Sequence, residues 1–531
     1  MTVPELRPWR TAGPRVARAA GAVRPRLTRF ARTAKPRVAR FARATAPQLA
    51  RITRPKTWQY TAGAATAGLA LAAGVVTAAG PWDSTGQRTA ERDRAVALDH
   101  TGGTDHGRGP GNSGTAPGSP RPAPSAGPVL AGLGGTTTGG VKAAPGDRAA
   151  LADLLDPLLK DAPALGERRA AAVVDLTTGK RVYGLDSGTA LTPASTTKIA
   201  TAVAALTALG PDHRLTTRTA LEADTGELVL VGGGDPTLTA RKDAQGLASL
   251  RTLAEKTAAA LKKRDVRKVT LSYDTTLYAG TDLHPIGVNE NLARVTALMA
   301  DEGRTDDSTS GPAPRVADPA DAAARAFAGF LKQHGITASP PGPSKATGRA
   351  ATLATVSSPP LSALVERMLT NSDNDLAEAL ARHTAVATGK RADFAGAGAA
   401  ITARLKQLGL PVDGARFHDG SGLDRTDLIT PDLLTALLTE AAGPSRPQLR
   451  PVLTGLPVAH FTGTLAGRYT DGAAGLVRAK TGTLTGVNTL AGTITTPDGH
   501  LLGFAFLANA TTDPWAAQTT LDRAATALAS P

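Results

Sequence analysis

The sequence contains no cysteine among its 531 residues. This absence excludes disulfide bonds, thiol catalysis, and zinc or iron–sulfur sites that depend on cysteine ligands. It does not exclude a location outside the cytoplasm, because a large core can be stable without covalent cross-links. With 41% apolar and 20% charged residues, the chain is long enough for one large or two medium globular domains.

Acidic residues are almost absent from residues 1–56, which hold only Glu5 against 15 lysines and arginines. The whole chain has 60 basic and 45 acidic residues, so residues 57–531 carry 45 basic and 44 acidic side chains. The formal net charge of +15 is therefore a property of one tail. We interpret residues 1–56 as a basic cytoplasmic tail that contacts membrane lipid. DNA binding is the alternative, and it is disfavoured because no folded module that could read bases accompanies the tail, so we expect no nucleic-acid partner.

Charged residues are missing altogether from Thr57 to Trp82, a stretch of 26 residues. As a helix with a rise of about 1.5 Å per residue it would span roughly 39 Å, enough to cross a hydrocarbon core of ~30 Å. Because the basic cluster precedes it, the positive-inside rule predicts a single-pass anchor at residues 57–82 with the N-terminus in the cytoplasm. The sequence is thus predicted to belong to a cell-membrane protein whose part after Asp83 is extracytoplasmic. A cleaved secretory signal and a buried core helix remain as alternatives.

Residues 83–147 have a composition that does not favour a packed core. Glycine and proline supply 19 of the 40 residues between positions 101 and 140. Such a stretch cannot bury enough apolar surface to fold, so we predict a flexible linker between the anchor and a domain that begins at residue 148.

The pattern from residue 148 onward is typical of a mixed domain. Helices and strands are predicted at both of its ends, at residues 149–159, 170–175, 181–183, 489–494, 501–507 and 515–528. Asp513 and Pro514 provide a cap and a first-turn proline for the last helix. Hairpins at both ends predict an antiparallel sheet whose strands come from both termini, which is an α+β arrangement and not a doubly wound parallel sheet.

A serine and a lysine occur three residues apart where a helix is predicted to begin. Thr192 is a suitable cap, Pro193 suits a first turn, and Gly210 ends the helix. Ser195 would then lie in the first turn, with Lys198 on the same face and within reach of its hydroxyl. A lysine can activate a serine only if its surroundings depress its pKa. By itself this tetrad is a weak signal, since an exposed first turn can carry the same two residues.

Two further motifs strengthen the signal from the first one. Ser372-Asp373-Asn374 and Lys480-Thr481-Gly482 each occur once, and they follow Ser195 in the order found in serine acyl-enzymes of the penicillin-recognising type. Each has a simpler interpretation, because serine, aspartate and asparagine are common helix caps and the other triplet could end a strand. The coincidence of all three favours catalysis.

On these motifs the sequence resembles the low-molecular-mass class C penicillin-binding proteins, which are D-alanyl-D-alanine carboxypeptidases and endopeptidases. The resemblance extends over most of residues 148–530. It includes two further segments, at 228–238 and 418–423, and it continues the third motif over 480–486. It implies the penicillin-binding and serine β-lactamase-like transpeptidase fold, an antiparallel sheet flanked by helices with an inserted smaller domain. We place the catalytic domain at 148–218 and 319–531 and the insert at 219–318. Only 177 positions separate Ser195 from Ser372, so we expect one insert domain to be reduced or absent.

The resemblance also implies a function and a role for each motif residue. The implied activity is hydrolysis of D-Ala-D-Ala ends of peptidoglycan stem peptides, and of cross-links, with β-lactam antibiotics as acylating inhibitors and without metal or cofactor. The implied roles are Ser195 as nucleophile, Lys198 as base, Ser372 as proton relay, Asn374 as a substrate-amide contact and Lys480 as the source of positive charge. Thr481, Gly482 and Thr483 would bind substrate, the two threonines at its terminal carboxylate, and the backbone N–H groups of Ser195 and Thr483 would form the oxyanion hole.

Three other functions compete with a peptidase. A serine β-lactamase of the common class needs a Glu-x-x-Leu-Asn segment between the second and third motifs, yet no asparagine occurs between Asp375 and Ala479. A related esterase would more often have tyrosine where this chain has Ser372. A non-catalytic wall-binding protein would not need every motif residue intact. Within the peptidase interpretation, His418 is a less favoured alternative base.

Overall fold

A computed structural model describes residues 148–470, 472–496 and 499–529. The predicted basic tail, anchor and linker at residues 1–56, 57–82 and 83–147 lie outside the described residues. Within the described part of the chain, no helix is both long enough and apolar enough to cross a membrane.

The described residues form a mixed structure of helices and strands. The helices are α1 (Arg148–Leu159), α2 (Thr197–Leu209), α3 (Leu250–Lys262), α4 (Pro319–Gln333), α5 (Leu361–Asn371), α6 (Asn374–Ala387), α7 (Phe394–Gln407), α8 (Pro431–Ala442), α9 (Arg450–Thr454) and α10 (Pro514–Leu528). The strands are β1 (Arg168–Asp175), β2 (Arg181–Leu185), β3 (Thr216–Leu221), β4 (Glu227–Val231), β5 (Lys268–Asp274), β6 (Thr337–Ala338), β7 (Gly342–Pro343), β8 (Ala351–Ser357), β9 (Val477–Leu484), β10 (Val487–Thr495) and β11 (Leu501–Asn509).

The first sheet joins strands from both ends of the domain. Its order is β2-β1-β11-β10-β9, and each neighbouring pair is antiparallel, with Ala172 opposite Ala505 in the β1–β11 pair. This confirms the predicted α+β class and the predicted antiparallel sheet. Strand β9 lies at one edge of the sheet, and on its outer side Val458 forms an isolated antiparallel bridge with Arg478.

Side chains alternate between the two faces of this sheet, as the period of two in a strand requires. On one face, Phe504 and Phe506 pack against the apolar residues of α1 and α10. On the other face, Ala505 and Leu507 pack against α2, α6 and α8. Full burial of each phenylalanine stabilises the fold by about 1.5–3 kcal/mol. Helix α2 therefore lies inside the domain, and its residues from Thr197 to Leu206 are buried.

The second sheet lies between the first and second motifs in sequence. Its order is β6-β5-β4-β3-β8, with β7 also paired to β5, and it mixes antiparallel and parallel pairs. Helices α3 and α4 cover it, with Leu253 and Phe327 in a common core with Leu228 and Leu271. The predicted insert boundary at residue 318 falls inside this unit, because α4 and β8 follow it. The sequence shows that α4 has an apolar face, but it does not show which sheet that face packs against.

Candidate active site

Ser195 lies in a tight turn that leads into α2. Residues Ala194–Thr196 form a short 3-10 helix, and α2 begins only at Thr197. Its last residue is Leu209, and Gly210 follows as the C-cap, as expected for the residue that ends the helix. The predicted helix cap is wrong, since α2 has no side-chain cap and the Thr192 hydroxyl donates to the Arg425 carbonyl at 3.2 Å. Ser195 therefore precedes the α-helix itself. Around it, the Thr196 N–H donates to the Pro193 carbonyl at 3.3 Å, and the Thr197 N–H donates to the carbonyls of Ala194 and Ser195.

Two glycines allow other segments to approach the turn closely. A Cβ atom on Gly422 would lie 2.0 Å from the Ala194 carbonyl oxygen, and Gly422 has a φ of 81°. A Cβ atom on Gly482 would lie 2.6 Å from the Pro193 oxygen and 3.1 Å from the Ser195 nitrogen. Since neither position has room for a side chain, the backbones of both segments support the turn directly.

Lys198 is fully buried beneath Ser195. Its Nζ donates to Ser195 Oγ at 3.1 Å, to Asn374 Oδ1 at 2.6 Å and to the Ser421 carbonyl at 2.8 Å. Burial lowers the pKa of Lys198 to about 8, although the negative charges of nearby Asp419 and Glu378 oppose the shift. A buried lysine with a lowered pKa and a contact to a serine hydroxyl satisfies the requirement for a base.

The second motif lies at the junction of two helices. Ser372 ends α5 in the left-handed region, with φ 57° and ψ 39°. Asp373 caps α6 by accepting a hydrogen bond from the Leu376 N–H at 2.9 Å, and burial together with the charge of Glu302 raises the pKa of its carboxyl. The sharp change of direction brings both Ser372 and Asn374 to the same cleft as Ser195.

Residues from the segment before α4 hold the second motif from outside. The Asn374 amide nitrogen donates to the Asn291 carbonyl at 2.8 Å. Asp375 accepts from the Ala293 N–H at 3.0 Å and pairs with Arg315 at 3.0 Å, while burial raises its pKa to about 6. The segment before α4 is therefore in direct contact with Asn374 and Asp375.

The third motif runs along the edge strand β9. Lys480 is fully buried, and its Nζ donates to Ser372 Oγ at 2.9 Å. Burial and the positive charges of Lys198 and Arg468 lower the pKa of Lys480. Thr481 donates to the Thr464 hydroxyl at 3.0 Å, and Gly482 contacts the Ser195 turn as described above.

One cleft of about 280 Å³ joins these motifs. Ser195, Ser372, Asn374, Thr481 and Thr483 line it, whereas Lys198 and Lys480 lie buried behind its wall. The structure thus brings together the residues that the motifs predicted. His418 is not among the lining residues in the described part of the chain, and its ring contacts the Thr426 hydroxyl at 3.1 Å.

Sequence reasoning missed several lining residues. They are Asn291, Arg304, Ser310, Gly311, Pro312, Arg315, Leu423 and Thr464. Five of them lie in the stretch from Asp301 to Asp318, which carries no recognisable motif and is distinguished in the sequence only by its polar character. Leu423 is the exception, because it ends the segment at 418–423 that the family resemblance had already identified.

Two groups of side chains in the described residues have ligand types that suit a metal ion. They are His284 with Glu378 and Asp419, and Glu302 with Asp373 and Asp375. Protein donors already engage both groups. Asp419 accepts from the Gly422 N–H at 2.6 Å, and Glu302 pairs with Arg304 and Arg367 at 2.7 Å each.

The fold and the three motifs define a serine acyl-enzyme of the penicillin-recognising class. A family model for the D-Ala-D-Ala carboxypeptidase 3 (S13) family matches residues 151–314 and 304–529. The chain therefore belongs to this family, and it is a serine-type D-Ala-D-Ala carboxypeptidase that acts on peptidoglycan. This confirms the family, the enzyme class and the fold class predicted from the sequence.

Individual relatives agree with the family match. The chain is 36% identical over 364 residues to a carboxypeptidase of Mycobacterium tuberculosis, a match that covers 65% of this chain and 77% of that protein. It is 29% identical over 439 residues to a D-alanyl-D-alanine carboxypeptidase of Actinomadura sp., which covers 68% and 81% respectively. Penicillin-binding protein 4 of Haemophilus influenzae has a similar fold, with a TM-score of 0.58, 22% identity and coverage of 70% of this chain and 97% of that one.

Proposed function

We propose that Ser195 attacks the carbonyl carbon of the penultimate D-Ala of a stem peptide while Lys198 takes its hydroxyl proton. The observation that carries this proposal is the 3.1 Å contact between Lys198 Nζ and Ser195 Oγ. The lowered pKa of Lys198, about 8, allows a usable fraction of neutral amine near neutral pH. The attack forms a tetrahedral intermediate whose negative charge lies on the former carbonyl oxygen.

In the next step Ser372 gives its hydroxyl proton to the nitrogen of the leaving D-Ala as the C–N bond breaks, and the proton that Lys198 took from Ser195 replaces it on Ser372. The hydrogen bond that Lys480 donates to Ser372 Oγ supports this role. Because that bond occupies a lone pair of the oxygen, the hydroxyl hydrogen of Ser372 remains available to point into the cleft. The products of this step are free D-Ala and an acyl group on Ser195, which water then hydrolyses.

The edge strand β9 binds the substrate in this proposal. Thr481 and Thr483 line the cleft, and their hydroxyls bind the terminal carboxylate of the peptide. The backbone N–H groups of Ser195 and Thr483 stabilise the oxyanion. The carboxylate of the bound peptide favours the ammonium form of buried Lys480, because an opposite charge raises the pKa of a lysine.

Asn374 has a second role in this proposal, as a contact to the substrate amide. It lines the cleft while its side chain bridges Lys198 and the Asn291 carbonyl. The amide bonds of peptide cross-links also involve a D-Ala carbonyl, so the same chemistry extends to endopeptidase activity. β-Lactam antibiotics acylate Ser195 by the same attack, and the adduct is long-lived because the chain has no Glu-x-x-Leu-Asn segment before the third motif.

We further propose that the enzyme is anchored in the cell membrane. The support is the uncharged stretch from Thr57 to Trp82, with 15 basic residues before it and a glycine- and proline-rich segment after it. In this arrangement residues 1–56 face the cytoplasm and contact anionic lipid. The catalytic domain is held outside the membrane, where peptidoglycan is found.

The experiment that tests the peptidase assignment measures D-Ala release from a peptide that ends in D-Ala-D-Ala. Full-length protein is expected to release one equivalent of D-Ala per peptide. Ser195→Ala and Lys198→Ala are each expected to abolish release, because the two residues act as one unit. Release that persists in folded Ser195→Ala protein would contradict the proposal.

A further inference from the structure

The glycine-rich turn at residues 419–422 has no part in the steps above, although it touches the base. Its Ser421 carbonyl accepts a hydrogen bond from Lys198 Nζ at 2.8 Å. This carbonyl is the third acceptor around that nitrogen, beside Ser195 and Asn374. A small displacement of the turn would therefore change the direction in which Lys198 points. The residues that hold the turn in place therefore influence the orientation of Lys198.

Glu378 of α6 holds the turn from one side. Its carboxylate oxygen Oε1 accepts hydrogen bonds from the N–H groups of Gly420 at 3.1 Å and Ser421 at 2.9 Å. From the other side, the Thr201 hydroxyl of α2 donates to the Gly420 carbonyl at 2.6 Å. The peptide that precedes the Ser421 carbonyl is thus fixed by helices α6 and α2, which also carry Asn374 and Lys198.

A second buried pair fixes the start of the turn. Asp419 pairs with His284 at 2.9 Å and accepts from the N–H groups of Gly422 at 2.6 Å and Asp424 at 2.7 Å. Burial opposes the charge on each partner, but their mutual hydrogen bond keeps the pKa of His284 raised and that of Asp419 lowered. Since His284 belongs to the insert, the network connects the insert to the base.

The burial of Glu378 at this position lowers the stability of the fold. It is fully buried, and its second oxygen, Oε2, has no hydrogen-bond partner among the described residues. Burial and the charge of Asp419 raise its pKa to about 7. A buried carboxylate with an unused oxygen destabilises the fold relative to an apolar residue, so packing alone does not account for it.

We propose that Glu378 is a positioning residue that aims the Ser421 carbonyl at Lys198 and thereby orients the base toward Ser195. The proposal rests on the function given above, in which Lys198 is the base. Several other charged groups face Lys198. They are Asp373 and Asp375 at the start of α6, Asp419 in the turn and Lys480 on β9.

Two substitutions separate the geometry of Glu378 from its charge. Glu378→Gln keeps an oxygen that accepts from both N–H groups, whereas Glu378→Ala removes it. Both remove a negative charge near Lys198, which lowers the pKa of the lysine and increases the neutral fraction at a given pH. The matched control is His383→Gln, a substitution at another buried position of α6 that contacts the Tyr278 ring and not the turn.

The experiment measures the rate constant for acylation of the full-length protein by benzylpenicillin from pH 6 to 10, with the melting temperature of each variant. We expect Glu378→Ala to lower the rate at the high-pH plateau by about 10- to 100-fold, the effect of a slightly misplaced catalytic group. Glu378→Gln should restore the plateau to within about threefold. Both should move the midpoint of the profile to lower pH, and His383→Gln should move neither quantity.

The possible failures are distinguishable. If Glu378→Ala keeps the native plateau and midpoint while Lys198→Ala is inactive, the positioning role is overturned and the base assignment stands. If the plateau of each variant, His383→Gln included, simply follows its melting temperature without a shift of midpoint, Glu378 is structural only and the proposal is again overturned. If Lys198→Ala itself acylates at the native rate, the proposed function fails first.

Discussion

Asn374 Oδ1 accepts a hydrogen bond from Lys198 Nζ at 2.6 Å, a shorter distance than the 3.1 Å from that nitrogen to Ser195 Oγ. The other end of the same amide donates to the Asn291 carbonyl at 2.8 Å. A carbonyl can only accept, so this contact fixes which end of the amide faces Lys198. The segment before α4, through Asn291, thus orients a side chain that contacts Lys198.

Asn374→Asp tests this relationship. The substitution places a carboxylate beside Lys198, and an opposite charge at this distance raises the pKa of a lysine by about 1–3 units. It also directs an oxygen at the Asn291 carbonyl, which cannot donate. We expect acylation by benzylpenicillin at pH 7 to fall by about 10-fold or more, with the midpoint of its pH profile above that of the native enzyme. An unchanged midpoint in folded protein would contradict the arrangement.

The pH dependence of acylation follows from the base. Lys198 must be neutral to accept the proton of Ser195, and its pKa is lowered to about 8 by burial. The acylation rate is therefore expected to rise about tenfold per pH unit below that value and to level off above it. Stopped-flow measurements with a chromogenic β-lactam record this profile.

Lys198→Ala is the control for this profile. It should remove the rise of the acylation rate with pH. It should also lower that rate roughly 100- to 10,000-fold, the usual contribution of a general base. A native-like rate in Lys198→Ala, or a midpoint near the ordinary pKa of histidine, would transfer the role of base to another residue. His418 would then be the first to test.

Gly482→Ala tests the close approach of β9 to the nucleophile. Its added Cβ would lie 2.1 Å from Thr489 Oγ1 and 2.6 Å from the Pro193 carbonyl, so the turn before Ser195 must shift. We expect a loss of about 1–3 kcal/mol in the free energy of unfolding, together with an acylation rate at least about tenfold lower. Gly467→Ala is the matched control, because nothing lies within 4 Å of its added atom. Equal behaviour of the two variants would contradict the tight contact.

The features that could be predicted from the sequence depend on residues that are close together in the chain. Ser195 and Lys198 are three residues apart, so local geometry alone places the amine near the hydroxyl. The predicted hairpin of residues 489–494 and 501–507, which is that of β10 and β11, is also local, because the two strands follow one another in the chain and pair antiparallel. Features that depend on residues close together in the chain could therefore be predicted from the sequence.

The parts that could not be predicted depend on contacts between distant segments. Asn291 and Asn374 are 83 positions apart, and nothing in the polar loop around Asn291 signals the contact. The packing of α4 against the second sheet could not be predicted for the same reason, because it also depends on contacts between distant segments. The start of α2 differs for another reason, since Thr192 prefers the Arg425 carbonyl over the cap position.

The membrane arrangement leads to a prediction about exposure. If residues 57–82 anchor the chain with its C-terminal part outside, protease added to intact spheroplasts should cut the linker at 83–147. We expect a soluble fragment that begins near Asp147 and still binds labelled penicillin. A cytoplasmic marker protein should stay intact in the same sample. A fragment that forms only after lysis would reverse the proposed orientation.

The central claim is that Ser195 is the nucleophile. Its most direct test is mass spectrometry of the full-length protein after incubation with benzylpenicillin, followed by mapping of the modified peptide. We expect one equivalent of adduct per chain, located on Ser195 and missing from Ser195→Ala. An adduct on any other residue, or none on correctly folded protein, would contradict the account.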